Sequence, residues 1–515
     1  YNIGYSYGSF DVPLREYYSF RHADKPDYNL DISNREFGQI SFANDFDPMD
    51  FDKMRVRHYE FRRDDSNDND LYTSLNLTVP YNLSGYSAHI KFGGKYWQKN
   101  KNRDYNRRRF SWDGDYHLTM AMLGIDEERW MIEDRYNLYG FVDWDTGYDF
   151  FNNNRNLFKE DLNRTRERSD PSYWEARETV VAAYALTDIT FGKLNVNAGV
   201  RMEQVYTNYK GNRVVFDDNG DWQETVQVES DGDYINFFPM LNLRYQIDRM
   251  SNLRFAFTNT ISRPEDFEWL VPFELVETED MELSRGNPDL EPSTSMNLDL
   301  MYERFLPNLG LLSAGVFYKD MDKFIYMENA IVSGGPYDGF LQRMPVNGES
   351  ATIWGIELAW QQQLTFLPGA LSGLGVYANY SYIESDAKIV IPDERRIALP
   401  QQAPHIFNIA LSYDWKGFSG QISYNYRDTW LHSVGASTSA PSISQVDDIF
   451  LDRYFKAIGQ LDLVLSYNFT DNLRIFANFN NLTNQSHQHY FYDPIYPYRN
   501  SFHGWWSNMG LRYSL

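Results

Sequence analysis

The chain has 515 residues, carries 48 basic against 72 acidic residues for a net charge of −24, and contains no cysteine. That balance speaks against nucleic acid as a partner, since phosphates need clustered Lys and Arg; the missing thiols remove disulfides, thiolate zinc sites and a cysteine nucleophile. No run of 18 apolar residues offers a membrane helix, yet 39 Tyr, 35 Phe and 13 Trp coexist with a mean hydropathy of −0.58, which suits strands apolar on one face with aromatic girdles at their ends.

In chain order, "YNIGYSYG" (Tyr1–Gly8) opens in mid-strand, with no Met, charged n-region or apolar h-region, as expected of a mature, processed or incomplete chain. A long connection is expected near 47–69, and the acidic "DDSNDNDLY" (Asp64–Tyr72) overlaps its end. The short turn "YNLSGY" (81–86) leads to a strand and then to the longest connection, 99–175, with helical turns expected near 122–136 and 157–168. After "TFGK" (190–193), "KLNVNAGVRM" sets Leu194, Val196, Ala198, Val200 and Met202 against Asn195, Asn197, Gly199 and Arg201. This is the period-two pattern of a strand with one apolar and one polar face.

A long connection at 207–233 holds "FDDNGDW" (Phe216–Trp222), and "QIDRMSN" (246–252) is short. Both acidic stretches have the Asp-x-Asp flavour of oxygen-ligand Ca²⁺ sites but lack the spaced carboxylates and distal Glu of a dedicated loop. They read as solvated turns with weak divalent-cation binding at most, and no cofactor is expected. Next come the long connection 263–293, the short "LPNLG" (306–310), long connections at 327–349 and 386–403, the tight "DWKG" (414–417) and another long connection at 431–458. "QLDLVLSYNF" (Gln460–Phe469) and "NLRIFANFNN" (Asn472–Asn481) alternate cleanly, joined by "TDN"; the long, aromatic connection 483–506 precedes a last strand at about 507–515.

Short and long connections therefore alternate, and the strands approach the roughly 9–11 residues that cross a bilayer. The expected fold is all-β: a transmembrane, antiparallel, up-and-down barrel of about 17 strands, with all short turns at one end and all long loops at the other. An odd count opening in mid-strand predicts that N-terminal strands lie outside this chain.

Three stretches carry a resemblance. "NTISRPEDFEWLVPF" with "GNPDLEPSTSMNLDLMYERF" (within Asn259–Phe305) resembles the barrel signature of TonB-dependent outer-membrane receptors, through Ser262, Arg263 and Pro264, then Gly286, Asn287, Pro288, Leu290, Pro292 and Ser295, with Ser293 where Glu is usual. "IFANFNNLTNQSHQHYF" (Ile475–Phe491) is similar to the family's penultimate strand, which typically ends Asn-Asn-Leu-Thr/Phe-Asn. "NMGLRYSL" (Asn508–Leu515) is similar to its closing strand, with Met509, Leu511, Tyr513 and Leu515 as the assembly signal and Leu replacing the usual terminal Phe or Trp. The resemblance implies a plugged barrel of the 22-stranded type spanning 1–515 here, with the N-terminal plug, the TonB-contacting segment and about five strands outside this chain. On that count Tyr1–Gly8 belongs to strand 6, and 263–293 is an external loop between strands 13 and 14. It further implies active uptake of a scarce siderophore, oligosaccharide or peptide across a Gram-negative outer membrane. The partners implied are outer-membrane lipid and lipopolysaccharide, the TonB complex reached through the plug and, from the bulk of the loops, a surface lipoprotein.

Candidate substrate contacts in or beside the long loops are Arg263, Trp269, Tyr337, Trp430, Tyr490 and Tyr492, since aromatic faces with sparse polar groups suit sugars, peptide side chains or aromatic chelators. His487, His489 and His503 are weak transition-metal candidates; packing or an interfacial aromatic belt is the ordinary use of such residues. There is no GxSxG, HExxH or P-loop, and no carboxylate pair at glycosidase spacing, so an enzyme is not expected. A passive porin and a soluble aromatic-rich carbohydrate-binding β protein are the alternatives to be separated from the receptor.

Overall fold

The computed structural model describes all residues except 35–36, 44–45, 127–129, 132–135, 138–139, 218, 265–266, 278–280, 308–309, 390–394, 435–451 and 515. Sixteen long strands form one antiparallel meander, each paired to the next: β1 (Asn2–His22), β2 (Met54–Leu83), β3 (Tyr86–Trp112), β4 (Trp174–Phe191), β5 (Leu194–Phe216), β6 (Trp222–Asp248), β7 (Ser251–Ser262), β8 (Ser293–Leu306), β9 (Gly310–Asp322), β10 (Ser350–Gln363), β11 (Leu374–Ile389), β12 (His405–Trp415), β13 (Phe418–Arg427), β14 (Ile458–Asn468), β15 (Leu473–Asn480) and β16 (Trp506–Tyr513). Short strands from the long connections extend the same sheet. The expected 17 is met to within one, because Tyr1–Gly8 belongs to a single strand reaching His22, and the hairpin that follows (Tyr28–Asp31, Gln39–Phe42) pairs only with itself.

The tight turns follow from local chemistry. At Ser84–Gly85 and Lys416–Gly417 both central residues have positive φ (50° and 89°; 48° and 86°), the left-handed pair whose twist matches two antiparallel strands. The β1–β2 register shifts between Val12 and Arg15, around Pro13, which has no N–H to give the ladder. Apolar side chains of one parity stand exposed on the outer face, as in Leu75, Leu77 and Val79 of β2 and Ile409 and Leu411 of β12, the band a bilayer covers. No helix among the described residues is long and apolar enough to cross a membrane, which says nothing about strands.

Several strands outrun the expectation. β2 covers 30 residues and β3 covers 27, well beyond the roughly 9–11 that cross a bilayer, so 54–69, 99–112, 207–216 and 222–233, expected as loop, are strand. Asp64–Tyr72 is therefore no solvated turn: Asp64 meets Arg103 at 3.0 Å and Asp68 meets Lys99 at 3.4 Å across the β2–β3 pair. Cross-strand charge pairing lets so polar a sequence hold a ladder. The helices α1 (Trp144–Asn153) and α2 (Leu162–Ser169) lie within the longest connection; α2 overlaps the expected 157–168, whereas α1 falls between the two expected stretches.

Buried apolar clusters sit at the long-connection end. One gathers Tyr59, Phe110, Leu118, Leu123, Phe151 and Phe158, with the Tyr59 and Phe151 rings 3.8 Å apart. Another gathers Trp174, Ala176, Tyr209, Phe267, Leu270, Val271 and Leu290. α2 also closes a strand edge: the Ser169 hydroxyl bonds the N–H and C=O of Arg107, and Thr165 accepts from the Arg109 N–H, satisfying backbone groups left without a neighbouring strand.

Candidate functional site

The connection from β7 to β8 folds back against the barrel wall. Its short 3₁₀ turn (Phe267–Trp269) and a hairpin (Glu274–Glu277, Glu282–Arg285) place Phe267, Leu270, Val271 and Leu290 on Trp174, Ala176 and Tyr209 of β4 and β5. Gly286 permits the closest approach: a Cβ there would lie 1.9 Å from the Val271 carbonyl oxygen. Asn287 accepts from the Asp289 N–H at 3.1 Å and donates to the Pro345 carbonyl at 3.0 Å. Ser293, where the family signature has Glu, is buried and donates to the Lys323 carbonyl. The signature residues thus staple a loop to the wall.

Between that loop and β4–β6 lies a cavity of about 250 Å³, lined by Arg263, Pro264, Pro288, Leu290 and Pro292 from the loop and by Glu178, Tyr209 and Tyr234 from the wall. Arg263 organises it. Its Nη2 donates to Glu203 at 2.6 Å, its Nε to the Tyr234 hydroxyl at 3.0 Å, and Glu178 lies 3.5 Å away. Glu178 and Glu203 are both buried, so one guanidinium compensates two carboxylates withdrawn from water.

The inner face of β3 continues this electrostatic surface. Lys95, Lys99, Lys101, Arg103, Arg107 and Arg109 share one parity, interleaved with Trp97 and Tyr105. Lys99 stands 5.5 Å over the Phe267 ring, Arg103 reaches Glu268 at 3.4 Å, and Arg107 pairs with the buried Glu60 at 2.7 Å. Sequence reading missed this row, along with Glu178, Glu203 and Tyr234. The signal was the period-two spacing of the cations, obscured by assigning everything beyond residue 99 to a loop.

The expected contact residues fall into two assemblies. Arg263, Trp269 and Tyr337 belong to the first, where the β7–β8 and β9–β10 connections dock: Arg285 donates to Gln342 at 2.7 Å, Arg343 pairs with Glu282 at 2.9 Å, and the Leu341 N–H donates to the Met281 carbonyl. Burial, followed by the Glu274 carboxylate to which it hydrogen-bonds, pushes the Tyr337 phenol up to about 12. Trp430, Tyr490 and Tyr492 belong to the second, a separate four-stranded sheet (Trp430–Ser433, Arg453–Phe455, His487–Phe491, Pro497–Ser501). There Trp430 stacks on Phe455 at 4.2 Å and lies 3.8 Å under the Arg427 guanidinium, Tyr490 stacks on Tyr454 at 5.7 Å, and Tyr492 is exposed. Much of the expected loop 431–458 lies outside the described residues.

His487 and His489 share a face of that sheet, but each turns to a different neighbour: His487 lies 4.9 Å from His503, and His489 lies 4.9 Å from His432. Among the described residues no three His, Cys, Asp or Glu gather as a metal would require. At the tip of β5–β6, Asp217 accepts the Asn219 and Asp221 N–H groups, and these backbone donors, that of Asp221 first, hold its carboxyl below the usual range. Its oxygen is used in closing a turn; Asp218 lies outside the described residues. On β16, Met509, Leu511 and Tyr513 stand exposed on one face, while Leu515 lies outside the described residues.

The family described as TonB dependent receptor-like, beta-barrel, matches residues 1–482, and no curated protein sequence matches. Similar solved structures include the ferric-catecholate import receptor Fiu of E. coli K12 in its closed form, at 12% identity and TM-score 0.57 over 91% of this chain and 57% of that one. The unliganded ferric citrate transporter FecA aligns at 10% identity and TM-score 0.53 over 88% of this chain and 57% of that one. The pyoverdine outer-membrane receptor FpvA of Pseudomonas aeruginosa PAO1 aligns at 14% identity and TM-score 0.52 over 90% and 55%. This chain thus spans little more than half the length of those structures, and at such identities they share its fold. Strand architecture, signature loop and family match agree: the chain belongs to the TonB-dependent receptor family and is a β-barrel of the Gram-negative outer membrane.

Proposed function

We propose that this barrel serves TonB-dependent active uptake of a scarce, bulky substrate: a siderophore, an oligosaccharide or a peptide. The long-connection end faces the medium and captures it. The supporting observation is the cavity under the β7–β8 loop, where Arg263, Glu178, Glu203 and Tyr234 couple the outer loop to the inner wall. A substrate that displaces the loop must disturb these buried ion pairs, so binding outside is felt at the wall against which a plug would move. In the second assembly the exposed Tyr492 supplies a further contact, held in place by the buried, stacked Trp430 and Tyr490 behind it. Energy reaches the site through a plug domain and the TonB complex, release following from unequal affinity for the resting and engaged states. Lipopolysaccharide surrounds the outer rim, and a surface lipoprotein acts as a lid partner. No chemical step is assigned to the chain.

The test is accumulation of labelled candidate substrates by cells expressing the full-length receptor under limitation, with and without a protonophore. Uptake that stops when the inner membrane is de-energised is expected. Uptake that persists unchanged would make the barrel a passive pore.

A further inference from the structure

The lipid-facing side of β8–β12 is interrupted by a notch of about 680 Å³ whose walls are almost wholly apolar. Register explains it. On the outer face Ala314 stands between Tyr302 and Leu358, and Ala378 between Trp360 and Ile409. Two methyl groups surrounded by four bulky side chains leave a trough where neighbouring rows present a continuous surface.

One end of the trough is polar. Arg304 shares the outer parity with Tyr302 and lies two residues before β8 gives way to its tight turn. Arg304 Nη1 donates to the Ser251 hydroxyl at 3.1 Å, and the Tyr302 hydroxyl donates to the same oxygen at 3.4 Å. The Trp360 indole N–H donates to Gln362, also on the turn side, at 3.2 Å. Arg304 is about half exposed, and its nearest carboxylate, Asp248, is 3.8 Å away, outside hydrogen-bond range. The guanidinium fork therefore retains donors for a further anion, and planar bidentate recognition of phosphate is what Arg does best. The amphipathic rings have their polar tips at the membrane rim and their bodies along the trough.

We infer that this notch is a binding site for one glycerophospholipid of the leaflet at the tight-turn end, an acyl chain lying over Ala314 and Ala378 and the phosphodiester on Arg304. Assigning that leaflet to the periplasmic side rests on the orientation proposed above. A phospholipid fits better than a second copy of the chain, since a cation immediately beside an apolar trough matches a headgroup joined to a tail.

The experiment is native mass spectrometry of the full-length receptor, extracted from outer membranes in mild detergent, with the bound lipid identified after release. The unaltered protein should retain one phospholipid. In the Ala314→Leu/Ala378→Leu double variant occupancy should fall at least about tenfold, since each methylene forced from the trough weakens binding. Arg304→Gln should lower occupancy several-fold while leaving the trough open. Heat-modifiable gel migration checks folding, and Arg304→Gln decides the matter if the double variant does not assemble. Equal occupancy in the variants, lipid A as the retained molecule, or a change from dimer to monomer on filling the notch would each overturn the site. Orientation is read separately by labelling Ser333→Cys, in the long β9–β10 connection, in intact cells, with the unaltered full-length receptor as the blank.

Discussion

Two assemblies at the long-connection end are built by different means. The β7–β8 loop is fastened to the wall by charge and shape: Arg263 between Glu203 and Glu178, Gly286 against the Val271 carbonyl, and an apolar cluster beneath. The four-stranded sheet is held by rings, Trp430 on Phe455 and Tyr454 on Tyr490, with the bidentate Arg395–Asp452 pair tying it to the tip of the β11–β12 region. A loop fastened through desolvated charges moves with the wall or not at all. The stacked sheet has one such anchor, Arg395–Asp452, and about it the strands can shift more gradually, because ring contacts are weaker and less directional. Under the uptake proposed above, the first would signal occupancy inward and the second would adapt to the substrate.

The largest expected effect tests the first of these. Arg263→Ala leaves Glu178 and Glu203 without their shared cation and should cost about 3 kcal/mol, the lower end for breaking a buried pair because Arg263 keeps some solvent contact. It should appear as a lower urea midpoint of the detergent-solubilised barrel together with reduced uptake; a midpoint within error of the parent would show the loop to be held by its apolar cluster alone. Gly286→Ala forces a methyl group into the Val271 carbonyl and should cost about 1–3 kcal/mol, with faster hydrogen exchange across 267–290 as the readout.

In the second assembly, a double-mutant cycle on Trp430 and Phe455 should give a coupling of about 0.5–1.5 kcal/mol, measured by exchange in the sheet, with the β7–β8 loop unaffected. A coupling that also loosened 267–290 would show the two assemblies to be one. The smallest effect is a pH response. Burial lowers the pKa of His432, His487 and His489; the neighbouring cations add to this at His432 and His489 (Arg453, and Arg499 at His489), and His503 adds to it at His487. The unfolded sheet then binds more protons than the folded one between the depressed values and the ordinary histidine value of about 6.5. Stability supplied by these neutral rings is complete above that ordinary value and is lost as pH falls through the folded values. Protection from exchange at 487–491, taken relative to the intrinsic amide rate at each pH, should fall between about pH 7 and 5 while protection at 267–290 does not; an equal fall in both would remove the contrast.

Much of the barrel was legible because a membrane strand is a one-dimensional object. Leu461, Leu463 and Leu465 face lipid because they alternate, whatever the rest of the chain does, and Lys416–Gly417 turns because of its own backbone. The reading failed where partners come from elsewhere. Asp64–Tyr72 looks like a loop until Lys99 and Arg103 are placed opposite it. What holds Arg263 could not be read from its signature, because Glu203 lies 60 residues earlier. Of the three candidate histidines, the structure brings His503 to His487 at 4.9 Å, and it sets His432, far off in sequence, beside His489.

Alternation and turn chemistry, both local properties, by themselves determined an all-β membrane barrel with unequal ends and the site of its most characteristic loop. Pairing across the sheet decided the rest: how far the strands project, which charges neutralise one another, and where small residues align into a lipid-facing trough. Those outcomes depend on register between distant segments, and the energy of a buried ion pair or a filled notch exists only once both sides are in place.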